Sequence, residues 1–354
     1  MAGAVGAVAR APVVAYRRRL LRQAALVGLV VLAAALSFLA DVGTGPGNLP
    51  LASVLATIAA PETQGARLGV IVWEIRLPVA LMAITVGAML GLAGAQMQTI
   101  LANPLADPFT LGLSSAASVG AAVAIVLGFG LLPGLSGSLA VTANAFAFAL
   151  GAALLIFALT RFRGVTPETM ILFGIALLFS CNALLGLLQY RSSEVQLQQI
   201  VFWMMGSLGR SSWPKIGIAA AVLGVTAPLL WRRRWQLNAI RMGEERAMAL
   251  GVDVRRIRLE VLALVSLLAA TAVSFVGVIG FIGLVGPHIA RLLVGEDQRF
   301  FAALSAMAGA ALLSAASIAS KMIVPGTIFP LGIITALVGV PVFVALVLSR
   351  RGVV

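Results

Sequence analysis

The sequence predicts an all-α polytopic membrane protein of about ten transmembrane helices, and three observations predict it. Of its 354 residues, 61% are hydrophobic and only 10% charged, with a mean hydropathy of +1.07; no soluble core could bury so many long apolar runs. Eight arginines (Arg232, Arg233, Arg234, Arg241, Arg246, Arg255, Arg256, Arg258) crowd one polar island between two apolar segments, and such a surplus marks a loop kept in the cytoplasm. A glycine spacing also recurs: Gly87, Gly91 and Gly94 lead one span into a proline break, and Gly277, Gly280 and Gly283 lead another into Pro287. The two segments lie an odd number of spans apart, which inverts one half of the chain relative to the other.

Taken in order, Arg17 to Arg19 and Arg22 precede a first apolar segment at 23–40. A charged start and an apolar run could be a signal peptide, but with many hydrophobic segments to follow, a first membrane helix with its N-terminus inside is expected. Asp41 to Gly69 reads as a polar external loop, and Arg76 and Pro78 open a second span at 77–101. The run Asn103-Pro104-Leu105-Ala106-Asp107-Pro108 then stops the helix, because proline lacks the amide donor and restricts the residue before it. Spans are expected at 110–130, 141–160 and 169–189, with Arg161, Arg163 and Thr166-Pro167-Glu168 forming a basic turn between the last two. The external segment Gln189 to Trp213 is broken by Gly206 and Gly209 and offers Trp203 and Trp213 to a membrane interface. A sixth span follows at 213–231, the island fills 232–258, and a seventh span covers 259–276. The next apolar stretch, 284–294, gives only about 16 Å of helix against about 30 Å of hydrocarbon. It is therefore a short or broken helix held among its neighbours. Spans at 300–319 and 329–349 end at Arg350 and Arg351. The pieces assigned outside hold only Arg67, Arg76, Arg191, Arg210, Lys215 and Lys321 of the 25 basic residues, so both termini are expected in the cytoplasm.

Within the island, Gly243 to Val252 reads as a compact helix. Glu244 and Glu245 oppose the positive end of its dipole, small Ala247 and Ala249 alternate with Met248 and Leu250, and Gly251 offers a C-terminal stop. Such a helix is either a solvated loop element or one shaped for a groove on another protein.

Several functions are disfavoured by what the chain lacks. The formal charge of +13 sits in loops rather than on a helix face with interleaved aromatics, so positive-inside topology explains it and nucleic acid does not. The two lysines follow Pro214 and Ser320, so no Gly-x-x-x-x-Gly-Lys phosphate loop exists. The single Cys181 lies in an apolar run and supports neither a disulfide framework nor a thiolate metal site. His288 is the one histidine and has no acid beside it in sequence, which argues against intramembrane catalysis. An ion-coupled secondary transporter, the alternative of another class, usually buries carboxylates at mid-membrane, whereas the acids here fall in loops or near span ends.

Arg76-Leu77-Pro78, Gly87 to Gln98, Asn103 to Pro108, Gly243-Glu244 with Leu250-Gly251, Gly277 to Arg291 and Pro330-Leu331-Gly332 to Pro341 together resemble the permease subunits of type II ABC importers for iron chelates, haem and vitamin B12. The resemblance implies a ten-span subunit of the bacterial inner membrane that pairs with itself around a central pathway. It would rest on two copies of a cytoplasmic ATPase, which holds ATP and magnesium, and receive substrate from a periplasmic binding protein; no cofactor is expected on this chain. Gly243, Glu244, Glu245, Arg246, Ala247, Met248, Ala249, Leu250 and Gly251 match the family's ATPase-coupling helix. Asn103, Leu105, Thr166 and Pro167 fall where the family narrows the cytoplasmic end of the pathway, and Arg76 and Lys321 where it docks the binding protein. The pattern departs from the family at Val79, Ser317 and Ile328, where a second arginine, an aspartate and a glutamate are usual. The Ser320-Lys321 and Pro325-Gly326 variant looks closer to the iron-complex permeases, with haem ahead of a ferric siderophore and vitamin B12 as the alternative.

Overall fold

The computed structural model describes the backbone of residues 2–349 except 46, 48, 64, 132–133, 324–326 and 328, and side chains between 20 and 345 except there and at 63 and 343. Ile328, Pro325, Gly326, Arg350 and Arg351 lie outside the described residues. Among the described residues the regular secondary structure is all helical. Helix α1 spans Ala2–Gly43, α2 Leu51–Ala59, and α3 Ala66–Val70 opens through a wide π turn, Ile71–Arg76, into α4, Leu77–Ile100. Then come α5 (Leu113–Leu127), α6 (Gly137–Arg163), α7 (Pro167–Arg191), α8 (Glu194–Met204) and α9 (Trp213–Arg232). The island folds as α10 (Arg234–Arg241) and α11 (Glu244–Ala249), and the chain continues with α12 (Val254–Val276), α13 (Ile282–Val294), α14 (Gln298–Met322) and α15 (Leu331–Ser349).

Among the described residues seven helices are long and apolar enough to cross a membrane, and shorter apolar helices stand beside them. The expected short segment is α13, with 13 residues. A second short helix was not expected: α5 has 15 residues, because left-handed Gly112 and Gly128 close it at both ends. The two halves are built alike. Helix α4 runs into the break 101–112 and then short α5; α12 runs into the break 277–281 and then short α13. The end of α4 lies beside the start of α12, since Arg258 donates to the Ile100 carbonyl at 3.0 Å. The two units therefore point in opposite directions, as the glycine repeat implies.

Helix α4 is the centre of the bundle. Its most apolar stretch is 78% buried, against 17% for α1 and α7 and 22% for α9. The repeat glycines explain how other helices come so close to it. A Cβ on Gly87 would stand 2.4 Å from the Gly309 carbonyl oxygen, one on Gly91 2.2 Å from that of Ser305, and one on Gly94 1.8 Å from that of Gly283. Backbone meets backbone there, the contact that small residues permit between membrane helices.

Three readings need correction. The stretch 41–69 is more than a loop, because Leu51–Ala59 and Ala66–Val70 form helices, and Trp73 in the π turn that follows donates to the Thr57 carbonyl of the first at 3.2 Å. Trp203 does not sit at an interface: it is 4% exposed, with the Arg210 guanidinium 5.9 Å from its ring, while Trp213 remains on the surface and donates to the Trp73 carbonyl. Asp107, placed in a loop by sequence, lies on a segment folded back into the bundle, where its Oδ2 would stand 2.8 Å from a Cβ on Gly283.

The crossing gives a sharp expectation. Gly94→Ala and Gly91→Ala each force a methyl into a carbonyl that cannot move without its helix, at a cost of about 3 kcal/mol or more. Gly186→Ala, where nothing lies within 4 Å, should be neutral. Thermal unfolding in detergent compares them, and a parental midpoint for Gly94→Ala would refute the crossing.

Candidate functional site

The island end of the bundle brings together the parts that the sequence singled out. Helix α4 stops at Ile100, Ala102 turns left-handed (φ 47°), and Asn103 accepts the Leu105 amide on its own side chain at 2.9 Å. Leu105 stays 43% exposed at the tip of this turn. The second turn precedes α7: Thr166 accepts the Thr169 amide at 3.3 Å, Thr169 accepts the Thr166 amide at 3.2 Å, and Pro167 fills the first helical position, where no donor is needed.

The compact helix expected between Gly243 and Val252 is present as α11. Gly243 (φ 108°) and Gly251 (φ 80°) bound α11 with backbone that only glycine adopts readily, and nothing crowds either one. Ala247, expected as part of a small outward face, is fully buried instead and anchors the helix inward. The outward face is carried by Met248 and Leu250, 57% and 51% exposed, with Glu244, Glu245, Arg246, Ala249 and Gly251 around them.

What joins these parts is Arg258, one of eight arginines by sequence and 2% exposed in the fold. Its Nε donates to the Ile100 carbonyl at 3.0 Å, its Nη1 to the Val165 carbonyl at 3.3 Å, and its Nη2 to Glu244 Oε1 at 2.6 Å. One guanidinium thus touches the last residue of α4, the residue before Thr166, and the first turn of α11. A second knot lies beside it. Arg291 donates to Gln98 Oε1 and to Glu296 Oε1, each at 2.7 Å, and Arg241 pairs with the same glutamate. Gln298 donates to Thr99 Oγ1 at 2.8 Å, and its amide reaches Asn238 Oδ1 at 3.0 Å, so α10 is hooked onto the start of α14. Burial pushes the Asp297 carboxyl up, but hydrogen bonds from Arg299 and Asn238 and the Arg299 charge outweigh it and hold its pKa down at about 2. Sequence reasoning passed over these groups because arginines in an island read as topology and glutamines at a helix end read as surface.

At the opposite end the structure turns the two supposed docking cations inward. Arg76 is 3% exposed and donates to the carbonyls of Gly43 and Gly45 at 2.8 and 3.2 Å. The Lys321 side chain is 7% exposed and pairs at 2.6 Å with Asp41, which is fully buried and also accepts from Ser317 at 2.9 Å. Neither presents its charge to a partner in this conformation. Asp41 takes the lysine, and Ser317 donates to the same carboxylate. His288 is half-buried on α13, and no cluster of three or more His, Cys, Asp or Glu side chains that could hold a metal exists among the described residues.

A helical bundle with opposed halves, short broken helices and a polar assembly at the island end is the form of a transport permease. The chain belongs to the FecCD transport family, whose profile matches residues 29–349. It is 41% identical to an ABC transporter permease of Methanocaldococcus jannaschii over 80% of this chain and 82% of that one. It is 39% identical to the hemin transport permease HmuU of Yersinia pestis (79% and 84%) and 37% identical to the vitamin B12 import permease BtuC of Klebsiella pneumoniae (79% and 83%). Among solved structures it superposes on a metal-chelate type ABC transporter in an inward-facing conformation with a TM-score of 0.78 and 29% identity, covering 92% of this chain and 99% of that one.

The buried pair supplies a test. Lys321→Met should cost about 3–5 kcal/mol because it strands a buried carboxylate, while Asp41→Asn with Lys321→Met should recover most of that loss. Thermal midpoints of the purified single and double variants decide it; equal losses would mean that the pair contributes nothing as a pair.

Proposed function

We propose that this chain is the permease subunit of an ATP-driven importer that carries an iron complex, haem first and a ferric siderophore second, from periplasm to cytoplasm. It works as a homodimer in a bacterial inner membrane, with both termini and the island in the cytoplasm. The observation that carries the reading is α11. Met248 and Leu250 stand exposed among Glu244, Glu245, Arg246, Arg255 and Arg256, so their apolar surface faces neither lipid nor the core and fits a groove on a separate ATPase. ATP and magnesium belong to that ATPase, and this chain supplies no cofactor site.

In this reading Asn103, Leu105, Thr166 and Pro167 close the inner end of a pathway between the two copies. A periplasmic binding protein docks on the opposite rim. Arg76 and Lys321 fix the shape of that rim through their internal partners rather than by offering free charge. A vitamin B12 cargo is the second reading, favoured by the 37% identity to the BtuC permease; haem and B12 are both metal tetrapyrroles and need a similarly wide, weakly binding path.

Two measurements test this. Met248→Asp with Leu250→Asp should lower recovery of the ATPase in co-purification by about tenfold or more, as loss of an apolar anchor does; undiminished recovery would remove α11 from the interface. The absorption spectrum of ligand carried by the co-purified binding protein separates cargoes, a Soret band supporting haem and a corrin spectrum overturning it.

A further inference from the structure

We propose that Arg258 is a positioning residue that conveys displacement of the coupling segment to both turns of the inner gate. The inference rests on the reading that α11 docks the ATPase and assigns a role to a residue inside the chain. Three features support it.

The partners of Arg258 come from the three places that must move together. Ile100 is the last residue before the turn that carries Asn103 and Leu105. Val165 is the last residue before Thr166 and Pro167. Glu244 is the first residue of α11. The guanidinium suits this because its planar fork reaches several acceptors at fixed angles, which a lysine ammonium on a flexible stem does not reproduce.

The bonds also differ in kind. Glu244 is 45% exposed and lies on a six-residue helix bounded by the two left-handed glycines, so α11 is a short unit on two turns. Arg258 is buried at the start of the long helix α12. A push on α11 reaches Arg258 through a charge-assisted contact, and Arg258 passes it to two main-chain carbonyls, so no gate side chain need touch the ATPase.

The alternative routes among the described residues are indirect. The Arg291 and Gln298 knot holds α4, α10, α13 and α14 together but does not include α11 or the turn at Val165. Arg255 reaches the Arg161 carbonyl at 3.1 Å, four residues before Val165, without contacting α4. Arg258 alone among these cations bridges both turns and the coupling segment.

The test uses the full permease–ATPase complex in lipid vesicles, in a Cys181→Ser background with Leu105→Cys as a thiol reporter. In the parent, maleimide reactivity at position 105 should differ by about fivefold or more between nucleotide-free and ATP-bound complexes. Arg258→Met should abolish that difference and lower uptake per ATP hydrolysed by about tenfold. If that variant does not insert, Arg258→Lys and Glu244→Gln carry the test. Lysine can keep Glu244 but cannot fork to both carbonyls, and each variant should lower the uptake-to-hydrolysis ratio by about threefold to fivefold. A parental ratio and parental nucleotide dependence in Arg258→Met, or in both milder variants, would overturn the proposal. If the ATPase still co-purifies with Met248→Asp/Leu250→Asp, the docking reading fails and this inference falls with it. If docking depends on those residues while transport ignores Arg258, only this inference fails.

Discussion

The bundle depends on the contact of α4 with the backbones of α13 and α14. Inside a membrane no hydrophobic effect drives helix against helix, because lipid tails are as apolar as leucine; close approach, dispersion and weak polar contacts must serve. Gly87, Gly91 and Gly94 remove the side chains along one stripe of α4, and Gly283, Ser305 and Gly309 bring main-chain atoms into that space. The placement of the polar end of α4 follows from this seating. With α4 enclosed, its last turn is fixed, Gln96 and Thr99 face Gln298 at the buried start of α14, Gln98 accepts from Arg291 of α13, and Ile100 presents its carbonyl to α12.

The polar end of the molecule shows how a mainly apolar protein keeps charge in order. Arginines that appear interchangeable in composition do separate work once folded: Arg256 holds Glu260 on its own helix, Arg241 and Arg291 share Glu296, and Arg258 is enclosed. Capping and ion pairing at this end replace the water that the helix termini would otherwise need. The result is a set of short helices whose positions are tied to spans rather than to solvent.

Much of this was legible in the sequence for identifiable reasons. Long apolar runs separated by arginine clusters betray spans, proline betrays the breaks after α4 and before α7, and paired glycines betray the crossing. The shortness of α5 was not legible, since the apolar run continues past Gly128 and only a left-handed φ there ends the helix. The inward turn of Ala247 was missed because a six-residue helix has too few positions to reveal a periodic face. Arg76 and Lys321 were read as outward for a different reason: sequence reports which side of the membrane a cation favours, and their partners lie in α1 and the segment just after it, in the case of Lys321 some 280 residues away.

That last separation bears on how the protein is made. Asp41 sits at the end of the first helix, and its ammonium partner is synthesised 280 residues later. At about 5–20 residues per second, a ribosome needs roughly 15–55 s to cover that distance. During this interval the first helix has been delivered to the bilayer with a carboxylate whose one ion-pair partner among the described residues has not yet been made. Arg76, by contrast, meets the carbonyls of Gly43 and Gly45 within 33 residues and can fasten almost as soon as it emerges. The end of helix α1 is therefore fastened twice, early through Arg76 and late through Lys321, and any chaperone or insertase that shelters it must hold an acidic helix end until α14 arrives.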